Sequence, residues 1–246
     1  MDAQQGTAQK SRLPAVAIVI AVIALVVAAI ALARDDDDEA TTTSSTEQPT
    51  TTTTTGPSTT TTTPAVDTTS AMFPDATTSR RFDDPVAVTR AFVTEVLGFR
   101  APVLSEFLGG DNRSGEIEVR GFPGGDPTTV RVRLLEDDTW FVLGAIAESI
   151  RLDAPTAGAQ LSSPSTLQGA AHAFEGNVVV HLLADGTDEP IGTSTVTGRG
   201  DGELGDFSGS ISFEVPPGVT DGVLVLFEPS AKDGSTVAAT AIRVHF

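Results

Sequence analysis

Hydrophobic and polar positions alternate along this chain in four successive patterns, and each predicts a different element. Leu13 to Ala33 is an unbroken apolar run, LPAVAIVIAVIALVVAAIALA. From Ala40 to about Arg81 apolar periodicity disappears into Thr-rich sequence with scattered Pro. Between Asp84 and Gly98, Val88, Ala91, Phe92 and Val96 recur at three- and four-residue spacing, which predicts a helix. Beyond Gly115 the period falls to two, which predicts strands.

The apolar run covers about 31 Å as a helix, close to the hydrocarbon thickness of a bilayer, and it carries no polar stripe. A single transmembrane helix at 13–33 is the expectation, with residues 1–12 as a tail. Lys10 and Arg12 precede the run, and Arg34 is followed at once by Asp35, Asp36, Asp37, Asp38 and Glu39, so the N-terminus is placed in the cytoplasm. Ala31-Leu32-Ala33 also has the small-x-small form of a signal-peptidase site. The apolar core is longer than the roughly 7–15 residues of a cleaved signal, which favours a signal-anchor. Either reading exports the remainder.

Residues 34–81 are read as an acidic and Thr-rich disordered stalk, because a polar stretch without periodicity cannot repay the entropy of folding. Extended at about 3.1 Å per residue, its roughly 40 residues from Ala40 to Arg81 would reach on the order of 120 Å. A formal net charge of -18 argues against nucleic acid as a partner, since phosphate binding runs on clustered Lys and Arg. Cysteine is absent, so no disulfide supports the exported part.

Residues 82–150 predict a small α+β domain. Asp84 caps a helix with Pro85 at its first position, and Gly98 stops it. Three alternating runs follow, Gly115 to Arg120, Thr128 to Leu135 and Thr139 to Ile146, as a β-meander. A first turn centred on Gly124-Gly125 would set Glu118 opposite Arg131 and Glu116 opposite Arg133 on the wet face. Ile117, Val119, Val130, Val132 and Leu134 would then face the helix. The second turn, Glu136-Asp137-Asp138, sets Leu134 near Trp140 and Val132 near Val142.

Residues 151–246 predict an all-β sandwich, with turn signals about every ten residues. Phe207, Gly209, Ile211, Phe213 and Val215 alternate with polar residues on a half-buried strand. Asn177 to Leu183 and Val223 to Phe227 are apolar at both parities and read as central strands. Asp233-Gly234 turns the chain into a last strand on which Ile242, Val244 and Phe246 point in while Arg243 and His245 point out.

In this segment Leu152-Asp153-Ala154-Pro155, Leu161-Ser162-Ser163-Pro164, Gly169, Ala173-Phe174-Glu175-Gly176 and Ser230-Ala231-Lys232-Asp233-Gly234-Ser235 follow one another in order. Together they resemble the bacterial spore germination immunoglobulin-like family, the second of the domains associated with GerMN domains. The resemblance implies an exported immunoglobulin-like sandwich that binds ligands or mediates assembly, and it carries over no catalytic residue. No GerMN-type domain stands upstream of it. The overall plan of span, linker, α+β unit and sandwich is similar to that of uncharacterised actinobacterial envelope proteins.

Candidate chemistry is sparse. His172, His181 and His245 are not at a spacing that shares a metal, and His181 in an apolar strand reads as a structural imidazole. No nucleophile elbow or phosphate-cradling loop occurs in the sequence. The acidic turns Asp201, Glu203, Asp206 and Asp185, Asp188, Glu189 contain calcium-type oxygen ligands without EF-hand spacing, and read as solvated turns. Arg199-Gly200-Asp201 is taken as a coincidental tripeptide, and Asn112-Arg113-Ser114 fits a glycosylation sequon.

No catalytic, cofactor-binding or metal residue is therefore nominated, no cofactor is expected, and the chain is read as non-catalytic. The expected function is a membrane-anchored, extracytoplasmic binding or assembly module of the bacterial cell envelope, whose partner is an envelope protein or a wall polymer. The surface proposed for it is the loop set at one end of the sandwich, near Phe174 and Glu175. The alternatives are a wall-acting enzyme with a site between the two domains and a structural spacer. Because the last strand is a core strand on this reading, deleting a few C-terminal residues should lower the unfolding midpoint measurably in urea.

Overall fold

A computed structural model describes residues 69–246, and the expected tail, transmembrane helix and stalk up to residue 68 lie outside the described residues. Among the described residues no helix is long and apolar enough to cross a membrane. The described part is mostly β-sheet with one short helix, as an immunoglobulin-like sandwich requires, and it belongs to one compact unit, Thr61–Phe246.

Helix α1, Pro85–Glu95, starts as expected: Asp84 accepts hydrogen bonds from the Val86 and Ala87 backbone N–H groups, and Pro85 occupies the first turn. Gly98 ends it at φ +77, a conformation that costs a glycine little. Thirteen strands follow: β1 (Val103–Leu104), β2 (Leu108–Gly109), β3 (Ser114–Arg120), β4 (Thr128–Leu134), β5 (Trp140–Ala147), β6 (Ile150–Ala154), β7 (Ala159–Gln160), β8 (Ser165–Ala171), β9 (Asn177–Ala184), β10 (Pro190–Thr197), β11 (Gly205–Ile211), β12 (Asp221–Pro229) and β13 (Thr236–His245). A 3₁₀ turn at Phe174–Gly176 separates β8 from β9.

Hydrogen bonding links the strands in the order β1-β3-β4-β5-β13-β12-β9-β10, and a branch leaves β5 through β6 to β8 and β11. The sheet is thus continuous between the segments 82–150 and 151–246, through Ala145 opposite Ala241 and along β6, which starts at Ile150 opposite Ala147 and runs into the second segment. Where the two layers diverge, backbone pairing is replaced by buried hydroxyls. Thr240 Oγ1 donates to the Ile150 carbonyl at 2.6 Å and accepts from Ala147 N at 3.0 Å, while Thr128 Oγ1 accepts from Ala239 N at 3.0 Å. Each bond satisfies a backbone group that would otherwise be buried unpaired.

Both central-strand expectations hold: β9 lies between β10 and β12, and β12 between β9 and β13. Their two faces serve two cores. Val223, Val225, Ala239 and Ala241 pack with Val88, Phe92, Val93, Ile117, Val119, Val130 and Val132 on the helix side. Leu224, Leu226, Ala238, Val178, Val180 and Leu182 pack with Leu167, Phe207 and Ile211 on the other.

In three places the sequence expectation is corrected. The β3–β4 register sets Glu116 opposite Arg131, Ser114 opposite Arg133 and Glu118 opposite Thr129, two residues away from the expected pairing. The turn is Phe122-Pro123-Gly124-Gly125, closed by Gly125 N donating to the Phe122 carbonyl, with Pro at its second and Gly at its third position at φ +83. That is the residue order of a type II turn, so it centres before Gly124-Gly125. A two-residue slip leaves every side chain on its face, and Ile117, Val119, Val130 and Val132 are buried as expected. The second turn also behaves as expected, with Leu134 opposite Trp140 and Val132 opposite Val142.

Second, ordered packing begins before the expected stalk boundary at residue 81. Ala71 and Met72 are buried, and Met72 N donates to the Val142 carbonyl at 2.8 Å. Phe73 meets Phe82 and Phe92 at 5.9 Å between ring centroids, and the Arg80 guanidinium lies 4.7 Å from the Phe82 ring centre while it pairs with Glu95. These apolar residues fall at the end of a polar run, where a helix- or strand-length pattern could not form. Third, Arg243 does not point to solvent: it is 5% exposed, because the face of β13 that carries it is covered.

Since both faces of β12 and β13 are core faces, residues 151–246 expressed alone should expose Val223, Val225, Ala239 and Ala241. That fragment should bind a hydrophobic dye or precipitate, whereas a fragment of residues 69–246 should not; dye fluorescence and gel filtration check this. At the tightest approach, a Cβ at Gly169 would stand 2.1 Å from the Arg151 carbonyl oxygen and 2.6 Å from the Phe207 ring. Gly169→Val should therefore cost at least about 2 kcal/mol in urea unfolding.

Candidate functional site

Strand directions sort the loops onto two ends of the sheet. One end gathers the start of β9 with Phe174–Gly176, the β10–β11 loop 198–204, the β12–β13 loop 230–235 and the β3–β4 loop 121–127. The other gathers the starts of β10 and β12, the close of β13 and the first described residues, whose Asp75 carboxylate accepts a hydrogen bond from Gly186 N.

At the first end, Phe174 is 59% exposed. Its backbone explains this. Glu175 is left-handed at φ +55 and Gly176 at φ +73, so the chain reverses sharply and turns the ring outward. The turn is held from three sides: Phe174 N donates to Glu228 Oε1 at 2.8 Å, Gly198 N donates to the Gly176 carbonyl, and Ala173 N donates to the Arg199 carbonyl. Leu204 and Phe122, on other loops of this end, are 42% and 51% exposed. Sequence reasoning reached Phe174 and Glu175 but not Phe122 or Leu204, which sit alone in Gly-rich loops without any periodic signal.

Most of the remaining candidates are accounted for locally. Arg199 forks to Asp201 and Glu203, so the tripeptide Arg199-Gly200-Asp201 is closed on itself. Arg199's hydrogen bond and charge hold the Asp201 carboxyl below its usual range. Asp206 lies exposed on β11, and no group of three acidic or histidine residues that could hold a metal ion occurs among the described residues. His172 bridges Arg199 through its backbone, and Asn112 is exposed in the turn before β3. His181 stands edge-on to Phe227 at 5.0 Å, and burial pushes its pKa down, which favours the neutral ring.

The second end holds the ionic network. Arg243 makes two 2.6 Å hydrogen bonds to Asp185 and stands 3.8 Å from Asp221, which in turn lies 2.6 Å from His245 Nδ1. His245 is therefore tethered rather than free in solvent, a further correction to the outward reading of the last strand. Burial works to raise the Asp221 carboxyl, but hydrogen bonds from Thr220 and His245 and the nearby Arg243 charge outweigh it and hold the group low. A cleft of about 370 Å³ lies nearby, lined by Phe73, Arg80, Glu95, Val96, Leu183 and Asp185 among others. Three of its four carboxylates are engaged, Glu95 with Arg80, Asp185 with Arg243, and Asp75 with Thr77 and Gly186, while Asp188 is exposed.

The two-layered β unit with a loop cluster at one end now has a family. Residues 149–235 match the immunoglobulin-like domain of bacterial spore germination. The match covers less than half of the chain and identifies that stretch alone. No curated protein and no solved structure matches the chain. Within the germination-type domain, the residues that carried the resemblance have structural duties. Ala154-Pro155 and Ser163-Pro164 are cis, Gly169 admits the β6 backbone and the Phe207 ring, and Ala173–Gly176 builds the turn that exposes Phe174. The match stops before β13, yet β13 forms the core-facing neighbour of β12.

Because Asp221 is held low in the folded state, the stability it contributes is complete above the ordinary carboxyl range, near pH 4, and is lost as pH falls through its depressed value. Asp221→Asn should lower the urea midpoint at pH 7 and flatten its decline between about pH 4 and pH 2. Midpoints across that range for both proteins check the sign.

Proposed function

We propose that this protein is a membrane-anchored, extracytoplasmic binding or assembly module of the bacterial cell envelope, and that it acts without chemistry through the loop end that presents Phe174, Leu204 and Phe122. The immunoglobulin-like family supports a binding or structural module for residues 149–235. The observation that carries the finer reading is polarity. The chain arrives from its N-terminal side at the Arg243–His245 end, where Thr69 and Ser70 lie, while Phe174, Leu204 and Phe122, three of the six exposed large apolar side chains among the described residues, stand on loops of the opposite end. A stalk attached at residue 69 would hold those loops outermost. Exposed aromatic residues among polar loops are the composition of protein-binding hot spots, so the partner we favour is another envelope protein. The apolar run at residues 13–33, with Lys10 and Arg12 before it and Asp35 to Glu39 after it, supports the location.

The partner test is crosslinking capture from intact cells with wild-type and Phe174→Ser chains. Phe174 is mostly exposed, so the variant should keep its stability within about 0.5 kcal/mol. It should lose at least about tenfold in capture of a specific protein. Equal capture would sink the role of this end, and recovery of wall glycan in place of protein would transfer the reading to the polymer. Location is tested separately. The chain has no cysteine, so single cysteines placed at Ala3 and at Ala231 report topology, and only the second should react with an impermeant thiol reagent on whole cells.

A further inference from the structure

A cavity of about 400 Å³ opens between β4–β5, the β6–β7 loop and the end of β13, lined by Arg131, Leu143, Ala157, Gly158, Arg243 and His245, together with Thr69 and Ser70. No Asp or Glu lines it, in a chain whose net charge is -18. Three nitrogen groups along it are unmatched. Arg243, with its side chain 6% exposed, spends both terminal nitrogens on Asp185, and its Nε is buried with no hydrogen-bond partner. His245 engages Asp221 through Nδ1, which leaves Nε2 unengaged. Arg131 makes no hydrogen bond or ion pair among the described residues, even though its strand position faces Glu116. Its guanidinium lies over Gly144, where a Cβ would come within 2.8 Å of Nη2, so the absent side chain of Gly144 makes room for the plane.

We propose that this cavity binds the carboxylate of a small organic acid, with Arg131 as the anchoring cation. The guanidinium with both terminal nitrogens unengaged presents the parallel N–H pair that a planar carboxylate accepts side by side. Nε2 of His245 adds a single donor when the ring is protonated, and Leu143, Ala157 and Gly158 supply an apolar wall for the rest of the molecule. Arg243 adds little net charge, because Asp185 already balances it. An acidic protein repels anions at long range, so capture here depends on these local donors. The site lies at the end of the sheet opposite Phe174, and it stands or falls independently of the partner-binding surface.

Isothermal titration calorimetry on the full chain, with N-acetylalanine, its uncharged amide and inorganic phosphate as probes, tests the assignment. N-acetylalanine should bind with a Kd of roughly 1 mM or tighter. Its amide should bind at least about tenfold more weakly, as should N-acetylalanine to Arg131→Gln. Arg133→Gln, a neighbouring cation outside this cavity, should bind as the wild type does, and His245→Gln should weaken binding less than Arg131→Gln. Unchanged affinity in Arg131→Gln, equal binding of acid and amide, tighter binding of phosphate, or no binding of the acid would each overturn it. Matching thermal midpoints for wild type and Arg131→Gln, which is expected for an exposed residue, separate lost binding from lost folding.

Discussion

The structure depends on one sheet being apolar on both faces. β12 carries Val223 and Val225 to the helix-side core and Leu224 and Leu226 to the sandwich core, and β13 divides Ala239 and Ala241 from Ala238 and Val244 in the same way. Each fully buried aliphatic side chain stabilises the fold by about 1.5–3 kcal/mol relative to exposure, so neither core can be uncovered cheaply. Without a cysteine in the chain, packing on both sides of this sheet carries the load that a disulfide often carries in small exported domains. The buried hydroxyls of Thr128 and Thr240 allow the two layers to part without leaving backbone groups unpaired.

The same constraint shapes the charged residues. A cationic residue on β13 at the helix-side parity falls under a covered face, so Arg243 survives only because Asp185 grips it and Asp221 stands close. Removing one partner of such a buried pair costs more than the pair itself contributes, since the remaining charge is left unpaired in low dielectric. The network closes the sheet at the end where the chain arrives. At the far end, the left-handed Glu175 and Gly176 turn an aromatic ring into solvent, an arrangement that stability alone does not require.

The function we propose rests on this division between the two ends. A germination-type immunoglobulin-like domain at residues 149–235 supplies most of the loop end, and the preceding helix and meander, which add Phe122 to it, cover the face of its central sheet that would otherwise be apolar and open. The loops that present Phe174 and the Arg131 cavity therefore lie on opposite rims of one compact unit.

Periodicity and punctuation in the sequence determined the helix from Pro85, the meander strands, the central place of β9 and β12, and the inward set Ile117, Val119, Val130 and Val132. These are local properties, because strand faces alternate with a period of two and Asp-Pro and Gly mark helix ends wherever they fall. The motif residues from Leu152 to Ser235 likewise carried the family. Only the tertiary structure decided that Arg243 is buried, that Met72 belongs to a core, that the meander register turns on Pro123-Gly124, and that Phe174 is exposed beside Leu204. Each depends on what a distant segment covers or leaves bare, and Asp185 meets Arg243 across 58 residues of chain. A one-dimensional pattern records which face a side chain takes, but not what lies against that face.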